Sequence, residues 1–320
     1  MEKLCENIQR IACLALHLAG RTSRSLFKNL ADTGHIDFLQ IGYILFGSKF
    51  NDCMKTAGES LTTHLKNNIC VLTITDKNYP VLLKKSICPP LALFYIGDIG
   101  LIQKPLISIV GTREPSLIST PWLEMVCEFL NSRGFVLVSG LATGIDAVVH
   151  KHSFSNGTIG ICPHSLDYHL PKINKYLFKA AMQGQKNILI LSEYPVSTPV
   201  RKYHFVHRNR IIAGISQFTI FAEGGMESGA MITANWCLKN QRKLFVLNSG
   251  YQKNNSGGCH LRNSGKAISL ENVFPIHVIR NPFEKSGHRL KNSFYLGNNI
   301  WIYFNPEEFS IKFLLPDPPD

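Results

Sequence analysis

Three short stretches combine small residues with groups that hold anions: Gly111-Thr112-Arg113-Glu114-Pro115-Ser116, Ser139-Gly140-Leu141-Ala142-Thr143-Gly144 and Glu223-Gly224-Gly225-Met226-Glu227-Ser228-Gly229. A glycine lets the backbone approach a ligand closely, because it carries no Cβ. Where a helix follows, its first amide N–H groups lack partners and favour negative charge. Arg113 adds a planar guanidinium matched to phosphate oxygens. The chemistry these residues offer is phosphate binding, with Gly111, Thr112, Arg113, Ser139, Gly140, Gly144, Ser228 and Gly229 as candidates. A fourth stretch, Arg208-Asn209-Arg210, joins the candidate set. Two arginines two positions apart on a helix point about 200° apart. One is therefore expected to face the ligand and the other a structural ion pair, with Asn209 on backbone groups.

Other residues near these stretches have quieter readings. Tyr203, Phe205 and His207 precede the arginines. Aromatic rings beside arginines can stack on unpaired bases, although Phe205 reads as core. Asp146 stands at a helix start, where an N-terminal cap contributes about 1 kcal/mol. His150 shares its face and reads as a hydrogen-bonded structural histidine. Glu223 either acts as a general acid/base or fixes its loop by accepting N–H bonds. No Ser-His-Asp, Cys-His or zinc pattern stands out. No G-x-G-x-x-G follows the strand that opens the α/β segment, and no G-x-x-x-x-G-K-[ST] occurs, which disfavours an ordinary dinucleotide site and excludes a Walker-type ATPase. No cofactor, metal or catalytic residue is expected.

The elements that position these loops follow from hydrophobic periodicity. Leu106–Val110, Phe135–Val138, Thr158–Cys162, Ile188–Leu191, Phe218–Ala222 and Lys243–Leu247 read as short apolar strands. Between them lie helical patterns at Pro121–Ser132, Ile145–Phe154, Ile173–Met182, residues 207–215 and Gly229–Lys239. Short apolar strands alternating with helices predict an α/β fold, a Rossmann-like doubly wound parallel sheet whose ligands bind outside the carboxyl ends of the strands. Residues 1–65 read as a small domain of short helices, and residues 66–270 as the Rossmann-like domain with two extended runs in front of it. In residues 271–320 the pattern breaks down. Asn292–Phe304 reads as a hairpin around Gly297-Asn298-Asn299, and residues 315–320 as disordered.

Of the 320 residues 45% are hydrophobic and 18% charged, a globular composition with room for two domains. The net charge is +12, and it is concentrated: residues 101–270 carry 18 basic and 8 acidic groups, whereas residues 271–320 carry 5 and 6. A folded segment with that excess attracts polyanions. Nine scattered cysteines without a Cys-x-x-Cys argue against a disulfide framework and for a reducing compartment. Ile8, Ile11, Leu14, Ala15 and Leu18 recur at helical spacing, so the N-terminal run reads as an amphipathic helix, and no run is long enough to span a bilayer.

Taken in order, Ile109-Val110-Gly111-Thr112-Arg113, Ser139-Gly140-Leu141-Ala142-Thr143-Gly144-Ile145-Asp146, Ser192-Glu193-Tyr194-Pro195, Arg208-Asn209-Arg210-Ile211-Ile212-Ala213-Gly214 and Ser228-Gly229-Ala230-Met231-Ile232-Thr233-Ala234 resemble the DprA/Smf family of DNA-processing proteins. The resemblance covers about residues 70–268. It implies a cytoplasmic, non-enzymatic homodimer that binds incoming single-stranded DNA in natural transformation and loads the RecA recombinase. It also implies a sterile-alpha-motif-like N-terminal domain, and a phosphate pocket lined by Arg113, the Ser139-Gly140 loop and Arg208 to Arg210. The sequence departs from the family at Thr143, where Arg or Lys is usual, and at Cys162-Pro163-His164-Ser165, where a glycine-rich stretch is usual. Residues 271–320 do not resemble the winged helix that ends many members. The alternative is a nucleotide-binding hydrolase of the phosphoribohydrolase type, to whose Gly-Gly-x-Gly-Thr loop Glu223 to Gly229 is partly similar.

Overall fold

The structure is a computed structural model that describes residues 2–22, 36–117, 119–167, 172–247, 255–270, 293–295, 301–305 and 310–314. Its centre is a nine-stranded sheet built from β1 (Cys70–Thr73), β2 (Ala92–Gly97), β3 (Leu106–Gly111), β4 (Val136–Ser139), β5 (Thr158–Cys162), β6 (Ile188–Ser192), β7 (Phe218–Glu223), β8 (Lys243–Val246) and β9 (Ile268–Ser269). The spatial order is β1-β2-β6-β5-β4-β3-β7-β8-β9. From β6 to β9 every pairing is parallel, and β1 and β2 close the other side antiparallel. The expected α/β doubly wound sheet is the observed one. The chain runs from β3 outward to β6, then returns to place β7 on the other side of β3, which makes the β3–β7 junction the switch point where such sheets open a crevice.

Alternation along the strands divides the apolar residues between two layers. Ile107, Ile109, Leu137, Ile220 and Phe245 pack with Leu123, Val126 and Val149 of helices Ser119–Ser132 and Ile145–Ser153. Val110, Val136, Val138, Phe221 and Val246 share the other core with Ile211, Ile212, Ala230 and Ala234 of helices Lys202–Ile215 and Gly229–Lys239. Ser108 is the polar exception in β3. It is fully buried, and its Oγ lies 2.6 Å from the Ile212 carbonyl, which ties the central strand to the helix above it.

The helical start of the chain is real, but two of its helices are long. Glu2–Leu18 and Phe50–Lys66 have 17 residues each, with Phe38–Phe46 between them. They pack on the sheet through β1 and β2, whose pairing fills the stretch that reads as two extended runs. Helix Lys202–Ile215 also starts five residues ahead of its expected boundary. Its first turn is aromatic and β-branched, a composition with weak helix propensity that hides the boundary. Near the other end of the chain, β10 (Ser293–Tyr295), β11 (Trp301–Asn305) and β12 (Ser310–Leu314) form an antiparallel sheet. β10 falls within the expected hairpin, and β11 runs one residue past it, to Asn305. The turn at Gly297-Asn298-Asn299 and residues 315–320 lie outside the described residues.

Candidate nucleic-acid interface

The three glycine-bearing loops meet at the carboxyl ends of β3, β4 and β7. Pairing of β3 with β7 shifts by one residue between Val110 and Gly111, so that Gly111 stands opposite Glu223. The Thr112 amide then donates to the Glu223 carbonyl at 2.8 Å, and the Thr112 carbonyl accepts from the Ile145 amide at 3.0 Å. Gly111 must be glycine here, since a Cβ would lie 2.4 Å from the Ile145 side chain. Gly144 is constrained more severely. Its φ is +75°, and a Cβ would fall within 2.5 Å of the Thr112 and Arg113 carbonyl oxygens. Gly144→Ala is accordingly expected to lower stability by at least about 1–3 kcal/mol, measured by urea unfolding, because those neighbours are backbone atoms that cannot rotate away.

Asp146 and Arg208 converge on Gly140. A Cβ there would stand 2.4 Å from Asp146 Oδ2 and 2.7 Å from an Arg208 guanidinium nitrogen. Asp146 does not cap its helix, which corrects the expectation from its position. Gly144 is the N-cap residue, and the Asp146 carboxylate reaches back instead, accepting from the Ala142 amide at 3.2 Å with Ser139 Oγ 2.9 Å from its other oxygen. Ser139 is fully buried and its Oγ also lies 2.7 Å from the Ile109 carbonyl, so its hydroxyl serves the loop and leaves only backbone groups for a ligand. His150, buried, holds the same loop from beneath through 2.6 Å to the Gly140 carbonyl and 2.8 Å to Thr158 Oγ1. Burial holds this imidazole below its ordinary pKa, as suits a neutral structural ring.

The two arginines of helix Lys202–Ile215 separate as their angular spacing requires. Arg208 points under the β4 and β5 ends, donating to the Ile161 carbonyl and, at 3.1 Å, to Asn209 Oδ1. Burial depresses its guanidinium, Asp146 opposes that shift, and the like charge of Arg113 adds to it. Arg113 itself is exposed at the mouth of the loop. Arg210 is withdrawn from the cleft, a correction to its place in the phosphate set. It is ion-paired with Glu193 and donates to the Cys88 carbonyl at 2.6 Å. Glu193 is held at about pKa 2: burial works against its charge, and Arg210 beside it, with the His207 hydrogen bond, overcomes that penalty. Asn209 bonds the Gly229 carbonyl at 3.0 Å, and Ser228 caps helix Gly229–Lys239 through the Met231 amide at 3.3 Å. Both therefore fix the third loop.

Glu223 is fully buried, and its Oε2 accepts from the Ser116 amide at 3.0 Å and from the Ser116 and Ser119 hydroxyls. The carboxylate anchors one loop to another, which is the second of its two sequence readings. Phe205 is a further correction: it is 38% exposed, and Tyr203 is 59% exposed. Both stand at the solvent-facing start of the helix that carries Arg208, next to Arg201 and Lys202. Sequence reasoning did not single out Asn174. Its buried amide donates to the Leu141 and Ala142 carbonyls at 2.9 and 3.0 Å, which brings the exposed Lys172 and Lys175 to the loop where Thr143 stands. A polar residue between two lysines carries no signal of such a contact.

The pattern of the family described as DNA recombination-mediator protein A matches residues 70–278. Protein Smf of Synechocystis sp. is 37% identical over 221 residues, which make up 66% of this chain and 54% of the relative, so the match spans about half of that protein. DNA processing protein A (DprA) from Streptococcus pneumoniae has a solved structure with a TM-score of 0.64 and 27% identity, covering 87% of this chain and 96% of that one. DNA processing protein A from Helicobacter pylori, solved for its single-stranded DNA binding mode, matches with a TM-score of 0.57 and 30% identity over 67% of this chain and 93% of that one. Since that pattern spans well over half of its residues, the chain belongs to the DNA recombination-mediator protein A family.

Proposed function

We propose that this protein binds single-stranded DNA through the cleft at the carboxyl ends of β3, β4 and β5, and that as a homodimer in the cytoplasm it loads RecA recombinase onto that strand during natural transformation and homologous recombination. The observation that carries the reading is the meeting of the glycine loops at the strand ends with two cations beside them: Arg113, exposed at the mouth, and Arg208, whose guanidinium lies 2.7 Å from the place of a Gly140 Cβ. A phosphate held on the loop backbone would take charge-assisted hydrogen bonds from these groups. The exposed Tyr203 and Phe205 supply rings on which bases can stack, and Arg201, Lys202, Lys172 and Lys175 extend the positive surface on either side. The mechanism is capture of the backbone by charge, with stacking that tolerates any sequence. Glu223 is occupied in loop anchoring, so no catalytic step is assigned to it.

A titration with a fluorescent single strand, against unlabelled duplex as competitor and at two salt concentrations, tests this. The expected result is preference for the single strand and a log-affinity falling with log-salt at about 0.7 per phosphate neutralised. Equal competition by duplex would sink the single-strand reading. Gly140→Ala sharpens the test. The atoms its Cβ would meet are side-chain ends that can move, so the fold is expected to survive while Arg208 is displaced. Affinity is then expected to fall about tenfold, with stability lower by about 1 kcal/mol, the cost of the displaced Arg208 bond to Ile161.

A further inference from the structure

The segment Glu193-Tyr194-Pro195-Val196 leaves β6 between two bodies. On one side it serves helix Lys202–Ile215: the Glu193 carboxylate pairs with Arg210, and the Tyr194 ring stacks on His204 with centroids 3.9 Å apart. On the other side its backbone is gripped by the N-terminal helices. His17 Nε2 lies 2.8 Å from the Glu193 carbonyl, and the Val196 amide donates to His64 Nε2 at 3.0 Å. Both rings close on Phe94 of β2, His64 stacking at 4.4 Å and 20°. His64 is 1% exposed.

The partners of His64 fix its tautomer. Its Nδ1 lies 2.6 Å from the Ser60 carbonyl, which can only accept, while the Val196 amide can only donate. The ring therefore carries its proton on Nδ1 and presents a lone pair at Nε2. A second proton on Nε2 would set N–H against N–H and break the bond to Val196. The charged group facing the ring from the sheet side is Asp167, whose carboxylate accepts from the Ser197 amide at 2.9 Å; His17 lies across Phe94.

We infer that His64 is a positioning residue for DNA binding: through Val196 it fixes the segment that holds the Arg208-bearing helix in register with the cleft. This rests on the single-strand reading above. The test compares His64→Leu and His64→Gln in the full chain, by affinity for a fluorescent single strand and by amide hydrogen exchange of residues 193–210. Leucine fills volume without an acceptor, whereas the glutamine carbonyl can take the place of Nε2. The expected result is faster exchange and an affinity about five- to tenfold weaker in His64→Leu, with both restored in His64→Gln. Wild-type affinity in a folded His64→Leu protein would overturn the inference. If the wild type binds no single strand, the functional reading fails, and exchange alone decides the positioning role: unchanged rates overturn it and faster rates support it. Should His64→Leu not fold, His64→Met replaces it, since it too fills volume without a comparable acceptor, and wild-type affinity and exchange in that variant would overturn the inference.

Discussion

Arg113→Ala is expected to weaken single-strand binding about tenfold or more while the urea midpoint stays where it was. The side chain is exposed, and among the described residues its guanidinium has no hydrogen-bond or ion-pair partner, so its removal costs the fold nothing. A charge-assisted hydrogen bond to phosphate contributes about 1.5–3 kcal/mol, which corresponds to about ten- to a hundredfold in affinity. Arg208→Ala is expected to weaken binding at least as much, and also to lower stability by about 1 kcal/mol, because the Ile161 carbonyl loses its donor. If one phosphate sits between both guanidinium groups, the double variant loses less than the product of the two single effects. Multiplicative losses would mean that the arginines grip different phosphates. The salt dependence of affinity separates charge from shape, and its slope is expected to fall by about 0.7 in Arg113→Ala.

The second large effect is on stability. Glu193→Ala is expected to cost about 3–5 kcal/mol, read from urea unfolding at neutral pH, because it leaves Arg210 buried without its counter-charge. Glu193→Gln keeps the shape and removes the charge, and is expected to cost nearly as much. The same pair sets a pH window. The folded carboxylate titrates at about 2, against an ordinary 4.5, so its contribution is complete above the higher value and is lost as pH falls toward the lower one. Wild type is expected to show that loss, and Glu193→Gln a shallower one, left to carboxylates such as Asp167 that are also held below their ordinary value. A wild-type profile as shallow as the variant's would mean that the pair contributes nothing to the acid response.

What the sequence carried about the site depended on how local each feature was. The loops were legible because glycine and arginine at the ends of apolar strands express a backbone requirement and a charge within a few residues. That Arg208 and Arg210 point apart followed from helical geometry, but which of them forms the ion pair did not, and the candidate set kept both. Asp146 was misread because the cap lies two residues earlier, at Gly144, where a left-handed φ turns the chain and leaves the aspartate to brace what precedes it. Phe205 reads as core by residue type, and its exposure is decided by a helix whose start its own composition conceals. The contacts of Asn174, His17 and His64 had no sequence signal, since each depends on a partner that tertiary packing supplies.

The bonds that close the cleft join residues far apart in the order of synthesis. Ser116 meets Glu223 across 107 positions, Arg208 meets Ile161 across 47, and His17 meets Glu193 across 176. A chain emerging from the ribosome that has reached β5 already displays the first two loops but lacks Arg208 and the Glu223 anchor. Such contacts form late, because distant segments must first be brought together. Of the cations assigned to the cleft such a chain has only Arg113, with Lys172, Lys175, Arg201 and Lys202 still to come, so on the single-strand reading proposed above the cleft becomes competent only after β7 has taken its place beside β3.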